Sequence, residues 1–329
     1  MNGGAMADVW YVLIFLILTL YAVLDGFDLG VGLCVLLEGD ERRRGQMMQT
    51  LSGVWHANQT WLVILGGSLF GAFPVAYAAV LSALYLPVLA LVLTLGLRGA
   101  CLEYRYHARR TRLWSLGFGL ASLAAVAAQA FILGAVLQGL PVANGAFTGD
   151  AGTFLSPLAL PAGLVLAYGY LLLGGSWLAG KTGGLTRRTA VNRARIGLAG
   201  LVLSALLLAA WTYLAAPGTF ARTLWREPSL APWLVSFAAV AAVCLIMLVP
   251  TLRESRRPFP WAAGLFAAGS LALAGGLHPR LLPPDLTLAI AAAPETDLAF
   301  MAWVMVPMLG LIGLYTIYQY HVFRAPPAG

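Results

Sequence analysis

The chain has 329 residues, of which 60% are hydrophobic and only 10% are charged, and its mean hydropathy is +0.82. Soluble globular domains carry about 25% charged residues, so this composition excludes a soluble protein and predicts a polytopic membrane protein. The formal net charge is +7. The basic residues fall in short segments between apolar runs, where they set membrane topology, so we expect no nucleic-acid partner.

An apolar run of roughly 20 residues can span a bilayer as a helix, and the sequence suggests about nine such helices. We expect one integral membrane domain over residues 1–329, all-α in class. The first run is too long for the apolar region of a signal peptide and no basic segment precedes it. It therefore reads as the first membrane helix. The predicted runs are about 9–37, 54–75, 78–100, 113–138, 156–180, 195–216, 230–251, 259–277 and 297–323.

Most of the basic residues lie in alternate connections between these runs. One side holds clusters within 42–44, 105–112, 181–195 and 253–257, together with Arg324, whereas the other side holds Arg222, Arg226 and Arg280. Short cytoplasmic loops are enriched in Lys and Arg. The pattern predicts an N-terminus outside and a C-terminus in the cytoplasm.

Two carboxylates, Asp25 and Asp28, interrupt the first apolar run. A charge inside a membrane costs at least a few kcal/mol, so such residues are rare and usually functional. Their i, i+3 spacing places them on one helical face, and Asp25 lies about 18 Å from the cytoplasmic end of the helix at 1.5 Å per residue. This pattern favours proton or ion handling. A structural pair satisfied by a neighbouring arginine or hydroxyl stays open.

Further polar residues are expected at the same depth or shallower. His56, Asn58 and Gln59 open the second predicted helix, and Arg98 and Glu103 end the third. Helices joined by short connections tend to be neighbours, so these side chains and the two aspartates can form one polar column that opens to the cytoplasm. Each also has a local interpretation, such as capping a helix, reaching lipid headgroups or bonding to a neighbouring helix.

We expect this chain to bind no metal or haem itself. Its cysteines are scattered, without a CxxC or Cys/His spacing, and read as small core residues. A haem between helices needs axial ligands at matched depth, and the histidines fall in loops or near helix ends. The residues concerned are Cys34, Cys101, Cys244, His56, His107, His278 and His321.

An ordered set of motifs along nearly the whole chain resembles subunit II of cytochrome bd-type quinol oxidases, including the cyanide-insensitive relatives. Any single motif is moderately specific, whereas the ordered set is specific. The motifs are Tyr21-Ala-Val-Leu-Asp-Gly-Phe-Asp-Leu-Gly-Val-Gly32, Trp55-His-Ala-Asn-Gln-Thr-Trp-Leu62, Phe73-Pro-Val-Ala-Tyr77, Leu84-Tyr-Leu-Pro87, Leu97-Arg-Gly-Ala-Cys-Leu-Glu-Tyr-Arg105, Tyr170-Leu-Leu-Leu-Gly-Gly-Ser-Trp-Leu178 with Lys181-Thr182, Leu282-Pro-Pro-Asp-Leu-Thr287, and Tyr315-Thr-Ile-Tyr-Gln-Tyr-His-Val-Phe-Arg324.

The resemblance implies an architecture of two four-helix bundles, at about 9–138 and 156–277, plus a ninth helix at about 297–323. It implies a haem-free subunit whose partner, subunit I, holds the b-type haems, haem d and the quinol site. The complex would reduce oxygen in the respiratory chain with protons taken from the cytoplasm. A small accessory subunit, and a structural quinone or lipid in a groove of this chain, are left open.

The resemblance also implies residue roles. Asp25 matches the family's proton-path aspartate, and Arg98 and Glu103 match its arginine and acid at the end of the third helix. His56 departs from the pattern, because the family often has an acid there; a histidine can still relay protons, since its unperturbed pKa is about 6.5. Asp28 reads as structural. The alternatives are a proton-coupled transporter and a purely structural assembly subunit.

Overall fold

The computed structural model describes residues 4–143, 145–214, 231–253 and 257–323. These residues form eleven α-helices and two short antiparallel hairpins. The helices are α1 (Ala5–Leu36), α2 (Glu41–Gln49), α3 (Trp55–Ala72), α4 (Pro74–Arg105), α5 (Thr111–Gln138), α6 (Ala159–Lys181), α7 (Gly184–Leu214), α8 (Ala231–Arg253), α9 (Phe259–Leu277), α10 (Leu288–Ala291) and α11 (Glu295–Val322). The hairpins pair β1 (Val142–Ala143) with β2 (Ala146–Phe147), and β3 (Arg280–Leu282) with β4 (Leu286–Thr287).

The prediction of an all-α polytopic membrane protein is confirmed. Each predicted apolar run coincides with one of the long helices, although residues 215–230, with Arg222 and Arg226, lie outside the described residues, as do Arg256 and Arg324. Seven of the described helices are long and apolar enough to cross a membrane. The helix α3, which carries the polar run after Trp55, and α8 are not among those seven, so the number of crossings stays a prediction.

Two connections differ from the prediction. The basic stretch before the sixth predicted run belongs to a helix, since α7 already begins at Gly184 and not near residue 195. Arg193 of this stretch is buried against the end of α1. The loop after α1 contains the short helix α2, which the apolar pattern could not indicate. Asp40 caps α2, since its side chain accepts a hydrogen bond of 2.8 Å from the backbone N–H of Arg43, the usual role of aspartate at this position.

The helix that carries the two aspartates is the most central one. α1 contacts α3, α5, α6, α9 and α11. It approaches α6 at backbone distance, because a Cβ added to Gly30 would collide with the carbonyl oxygen of Tyr170, and one added to Gly174 would collide with the backbone of Gly30. Small residues permit such contacts between membrane helices. The middle of α1 is thereby buried on several sides.

Candidate functional site: a buried polar cluster

The innermost part of the candidate site is an ion pair between α1 and α4. The Nη2 atom of Arg98 donates a hydrogen bond to Oδ1 of Asp25. The side chain of Asp25 is 0% exposed and that of Arg98 is 2% exposed. Asp25 Oδ2 and Arg98 Nη1 are buried without a hydrogen-bond partner among the described residues. The pair is therefore neutral as a whole, yet each residue keeps one free polar atom.

A second group connects Asp28 to the last helix. Asp28 Oδ2 accepts a hydrogen bond of 3.1 Å from the amide of Asn58 on α3, and Asn58 Oδ1 accepts one of 2.8 Å from the hydroxyl of Tyr320 on α11. Asp28 and Asn58 are fully buried and Tyr320 is partly buried. Asp28 Oδ1 has no partner among the described residues. Three helices thus meet at this carboxylate.

Aromatic rings pack beside these groups. Phe27, which is fully buried, stacks on Trp177 with 4.5 Å between ring centroids and lies edge-on to Phe259 at 5.2 Å. Tyr320 lies 5.7 Å from Trp177 in the same cluster. Such rings bury large apolar areas, so they remove bulk water from one side of the aspartates and strengthen the local electrostatic interactions.

A glutamine joins two buried tyrosines one turn of α1 away from Asp25. The amide of Gln129 on α5 donates to the Tyr21 hydroxyl at 2.6 Å, and the Tyr170 hydroxyl donates to Gln129 Oε1 at 2.7 Å. Tyr21 lies on α1 and Tyr170 on α6. Sequence patterns did not indicate this bridge, although the polar Gln129 stands within an otherwise apolar run.

His56, Gln59 and Glu103 lie in a separate, shallower group. A groove of about 300 Å³ is lined partly by Gln59, Glu103 and the ring of Trp55. Glu103 Oε1 accepts a hydrogen bond of 3.1 Å from the indole N–H of Trp55, and the exposed ring of His56 lies 3.6 Å from the Trp55 ring between centroids. The expected polar column is therefore two groups: a buried one with Asp25, Asp28, Asn58 and Arg98, and an open one with His56, Gln59 and Glu103.

The end of α1 nearest α2 carries charged contacts that sequence patterns do not indicate. Arg193 of α7 donates to the carbonyl oxygen of Cys34 at 2.7 Å and to Glu38 Oε2 at 3.1 Å, while Arg43 donates to Glu38 Oε1 at 2.7 Å. Burial raises the pKa of the Glu38 carboxyl, but hydrogen bonds from Arg43 and the backbone N–H of Asp40, with the charge of Arg193, outweigh it and hold the pKa below its usual value. These contacts fix the end of the helix that bears the aspartates.

The four histidines are all exposed. His278 pairs with Asp8 at 3.0 Å, and His56 lies against Trp55. Within the described ranges, no group of three or more His, Cys, Asp or Glu residues could hold a metal ion. No histidine in these ranges is buried, so they offer no pair of axial histidines for a haem held between helices.

The family model for cytochrome bd terminal oxidase subunit II matches residues 6–323. The chain belongs to this family. This match confirms the predicted resemblance. It follows from the family that the chain is a subunit of a respiratory quinol oxidase complex in a bacterial membrane. Among the proteins similar to this subunit II chain, subunit 2 of the cytochrome bd-I ubiquinol oxidase of Escherichia coli strain K12 is 26% identical over 95% of this chain and 92% of that protein. Subunit 2 of the cytochrome bd ubiquinol oxidase of Bacillus subtilis is 24% identical over 98% of this chain and 96% of that protein.

A solved structure shares the fold of this subunit II chain. A chain of the bd oxidase from Geobacillus thermodenitrificans superposes with a TM-score of 0.76 and 22% sequence identity, covering 97% of this chain and 99% of that chain. At this identity the likeness shows the fold alone. The shared fold extends along almost the full length of both chains.

Proposed function

We propose that this chain is the haem-free subunit of a quinol:oxygen oxidoreductase and conducts protons from the cytoplasm toward a haem-bearing subunit I. The observation that carries the proposal is the fully buried ion pair of Asp25 and Arg98, in which Asp25 Oδ2 remains without a partner among the described residues. A buried carboxylate with a free oxygen can take up and release a proton at a fixed place. An ion pair that served stability alone would need its remaining polar atoms satisfied, because unmade hydrogen bonds of buried charged groups are unfavourable.

Each polar group then has a role in the proposed path. Asp25 is the proton carrier, and Arg98 is the positively charged partner that holds its carboxyl group in place. Glu103 and His56, which are exposed beside the groove at Trp55, are the residues through which protons enter. Of the residues in the proposed path, His56 has the least support from the geometry, because its ring lies against Trp55 in the open group, apart from the buried cluster.

The partner subunit is proposed to cover a face made by α3 and its neighbours α4 and α11. At five glycines on these helices an added Cβ would have no atom within 4 Å: Gly66, Gly67, Gly96, Gly310 and Gly313. Only Leu298 and Thr316 of α11 are buried, while large side chains such as Trp303, 80% exposed, point outward. Small residues favour close helix contacts in membranes, and a protein surface satisfies the exposed Glu103 on the same face better than lipid does.

The proposal includes the predicted orientation, with the N-terminus outside and the C-terminus in the cytoplasm, and the division into two four-helix bundles plus a ninth helix. The b-type haems, haem d and quinol site would belong to subunit I, because the described residues of this chain offer no buried pair of axial histidines. The transporter alternative is disfavoured because the acids buried within the described helices, Asp25 and Asp28, both lie on α1. The neighbouring helix α6 carries no acid and meets α1 through Gly174 at backbone distance.

The test of the proton role is Asp25→Asn in the assembled oxidase. Asparagine has nearly the same shape and cannot carry a proton, so we expect a large loss of oxygen consumption per haem with the haem content retained. Asp8→Asn is the control, since Asp8 is 56% exposed and lies far along α1 from the cluster. Full oxygen consumption in an Asp25→Asn complex with full haem would refute the proton role and support a purely structural subunit.

The test of the partner face is Gly313→Trp, which adds a large ring to the open face of α11. We expect loss of the haem that co-purifies with a tagged chain. Gly180→Trp on α6, where an added Cβ also meets no atom within 4 Å, should keep it. If the wild-type chain brings down no haem-bearing partner, the oxidase assignment of the partner is wrong.

A further inference from the structure

We propose that Tyr320 is a positioning residue for proton transfer, which acts through Asn58 to make Asp28 a second proton station beside Asp25. This inference rests on the proton function proposed above. It also replaces the structural role that sequence patterns gave to Asp28. The observation is the hydrogen-bonded series from the Tyr320 hydroxyl through the Asn58 amide to Asp28 Oδ2.

The two ends of the Asn58 side chain are chemically different. Its Nδ2 group can only donate and its Oδ1 atom can only accept. In the structure Nδ2 donates to Asp28 Oδ2 while Oδ1 accepts the proton of the Tyr320 hydroxyl. This orientation suits an ionised Asp28, because the carboxylate receives an N–H and never faces the amide oxygen.

A phenol hydroxyl can donate or accept a hydrogen bond. The asparagine side chain can rotate so that its amide NH2 group and its oxygen exchange places. When Asp28 is protonated on Oδ2, a reversed Asn58 accepts that proton in a hydrogen bond and donates its N–H to the Tyr320 oxygen. Both protonation states of Asp28 are then fully bonded at Oδ2. A proton arrives at or leaves from the free Oδ1 atom, which has no partner among the described residues, and rotation of the carboxyl group about its Cβ–Cγ bond exchanges the two oxygens, so that the acquired proton comes to face Asn58.

The charged and titratable groups around Asp28 come from three helices. Asp25 lies on α1 with Asp28, Arg98 comes from α4 and Tyr320 from α11. Arg98 bonds directly to Asp25, whereas the hydrogen bond that Asp28 accepts comes from Asn58. Removing the Tyr320 hydroxyl leaves the buried Asn58 carbonyl without a donor and removes the reason for its orientation.

Tyr320 is well placed for such a role because other contacts hold the end of α11. The carbonyl oxygen of Phe323 accepts a hydrogen bond of 2.6 Å from Nζ of Lys181, and the Phe323 ring occupies the space above Gly53. The hydroxyl of Tyr320 is thus fixed over Asn58 while the outer side of α11 stays open to the proposed partner. Docking of the partner on α11 would then hold the Asp28 station in its working arrangement.

The experiment compares Tyr320→Phe with Tyr318→Phe in the assembled oxidase, with oxygen consumption normalised to haem and measured across pH. Tyr318 is 64% exposed on the same helix and serves as the matched control. For Tyr320→Phe we expect a roughly tenfold loss of turnover, the size that one unmet buried hydrogen bond produces. We also expect the pH profile to differ from that of wild type, since Asp28 has then lost a donor whose orientation Tyr320 fixes.

Tyr320→Phe should also add no further loss when Asp28 is already Asn, because the two residues act on one station. A wild-type pH profile in Tyr320→Phe, or a full additional loss in the Asp28→Asn background, overturns the proposal. If Tyr320→Phe gives no assembled oxidase, Asn58→Asp is measured instead. It places an acid against Asp28, so an unmoved pH profile again overturns the proposal. The Asp25→Asn variant separates the two levels: if it keeps full turnover, the proton function itself has failed.

Discussion

Replacing Arg98 alone should be far more damaging than replacing Arg98 and Asp25 together. Asp25 is 0% exposed and its only hydrogen-bond partner among the described residues is Arg98, itself 2% exposed. Arg98→Met therefore leaves an uncompensated charge in the middle of the helices. Breaking a buried pair in this way costs about 3–5 kcal/mol, which lowers the ratio of folded to unfolded protein by roughly two to nearly four orders of magnitude.

The double variant Asp25→Asn/Arg98→Met removes both charges and should recover most of the stability, because a neutral amide beside an apolar chain leaves no buried ion. It should not recover oxygen consumption, since Asp25, the proposed proton carrier, has been replaced by a group that cannot carry a proton. The suitable measure is the half-life of the haem absorbance at a fixed elevated temperature, because large membrane complexes unfold irreversibly. We expect Arg98→Met to shorten it at least about tenfold, the part of the loss that appears in the unfolding rate.

Arg109→Met is the control for Arg98→Met, as Arg109 is exposed near the start of α5. The reasoning is refuted if Arg98→Met is as long-lived as wild type. It is equally refuted if the double variant decays as fast as the single one, because the damage would then come from lost packing of the arginine side chain rather than from the stranded charge.

Two further predictions concern the frame around the site. Gly174→Ala should sharply reduce the yield of assembled oxidase, because the added Cβ would collide with the backbone of Gly30. Gly180→Ala should match wild type, because a Cβ added to Gly180 meets open space. The haem content per chain after purification measures both variants, and equal yields would contradict the close contact. The Glu38 carboxyl has a pKa below its usual value of 4.5, so its stabilising contribution is complete above that pH and is lost as the pH falls through the lowered pKa. Thermal half-life should fall with pH below about 4.5, and Glu38→Gln should flatten that dependence; a parallel fall in both proteins would argue against it.

Sequence patterns located the buried acids well because an acid in an apolar helix leaves few interpretations. Asp25 and Arg98 were placed at compatible depths from helix ends alone, and the structure pairs them. Patterns could not distinguish the buried Asn58 from the partly exposed Gln59 next to it. One residue turns a side chain by about 100° around a helix, and only the packing of α3 against α1 decides which of the two faces inward.

Other parts of the site depend on contacts between residues far apart in the chain. Tyr320 was noticed as part of a motif, but its bond to Asn58 spans 262 positions and follows from how α11 lies against α3. The bonds of Gln129 to Tyr21 and Tyr170 likewise join residues that are 108 and 41 positions apart. Arg193 was expected in a loop because charge suggested exposure, whereas the carbonyl of Cys34 and the carboxyl of Glu38 provide buried partners for its guanidinium.

The crossing of α1 and α6 determines what can move during turnover. Because Gly30 and Gly174 meet at backbone distance, any sliding or rolling of one helix over the other would drive main-chain atoms into each other. The carboxylates of α1 therefore keep a fixed position relative to α6. In such an arrangement the proposed proton delivery would depend on short reorientations of side chains and water around stationary acids, and its speed should be insensitive to changes in bilayer thickness that alter helix tilt elsewhere.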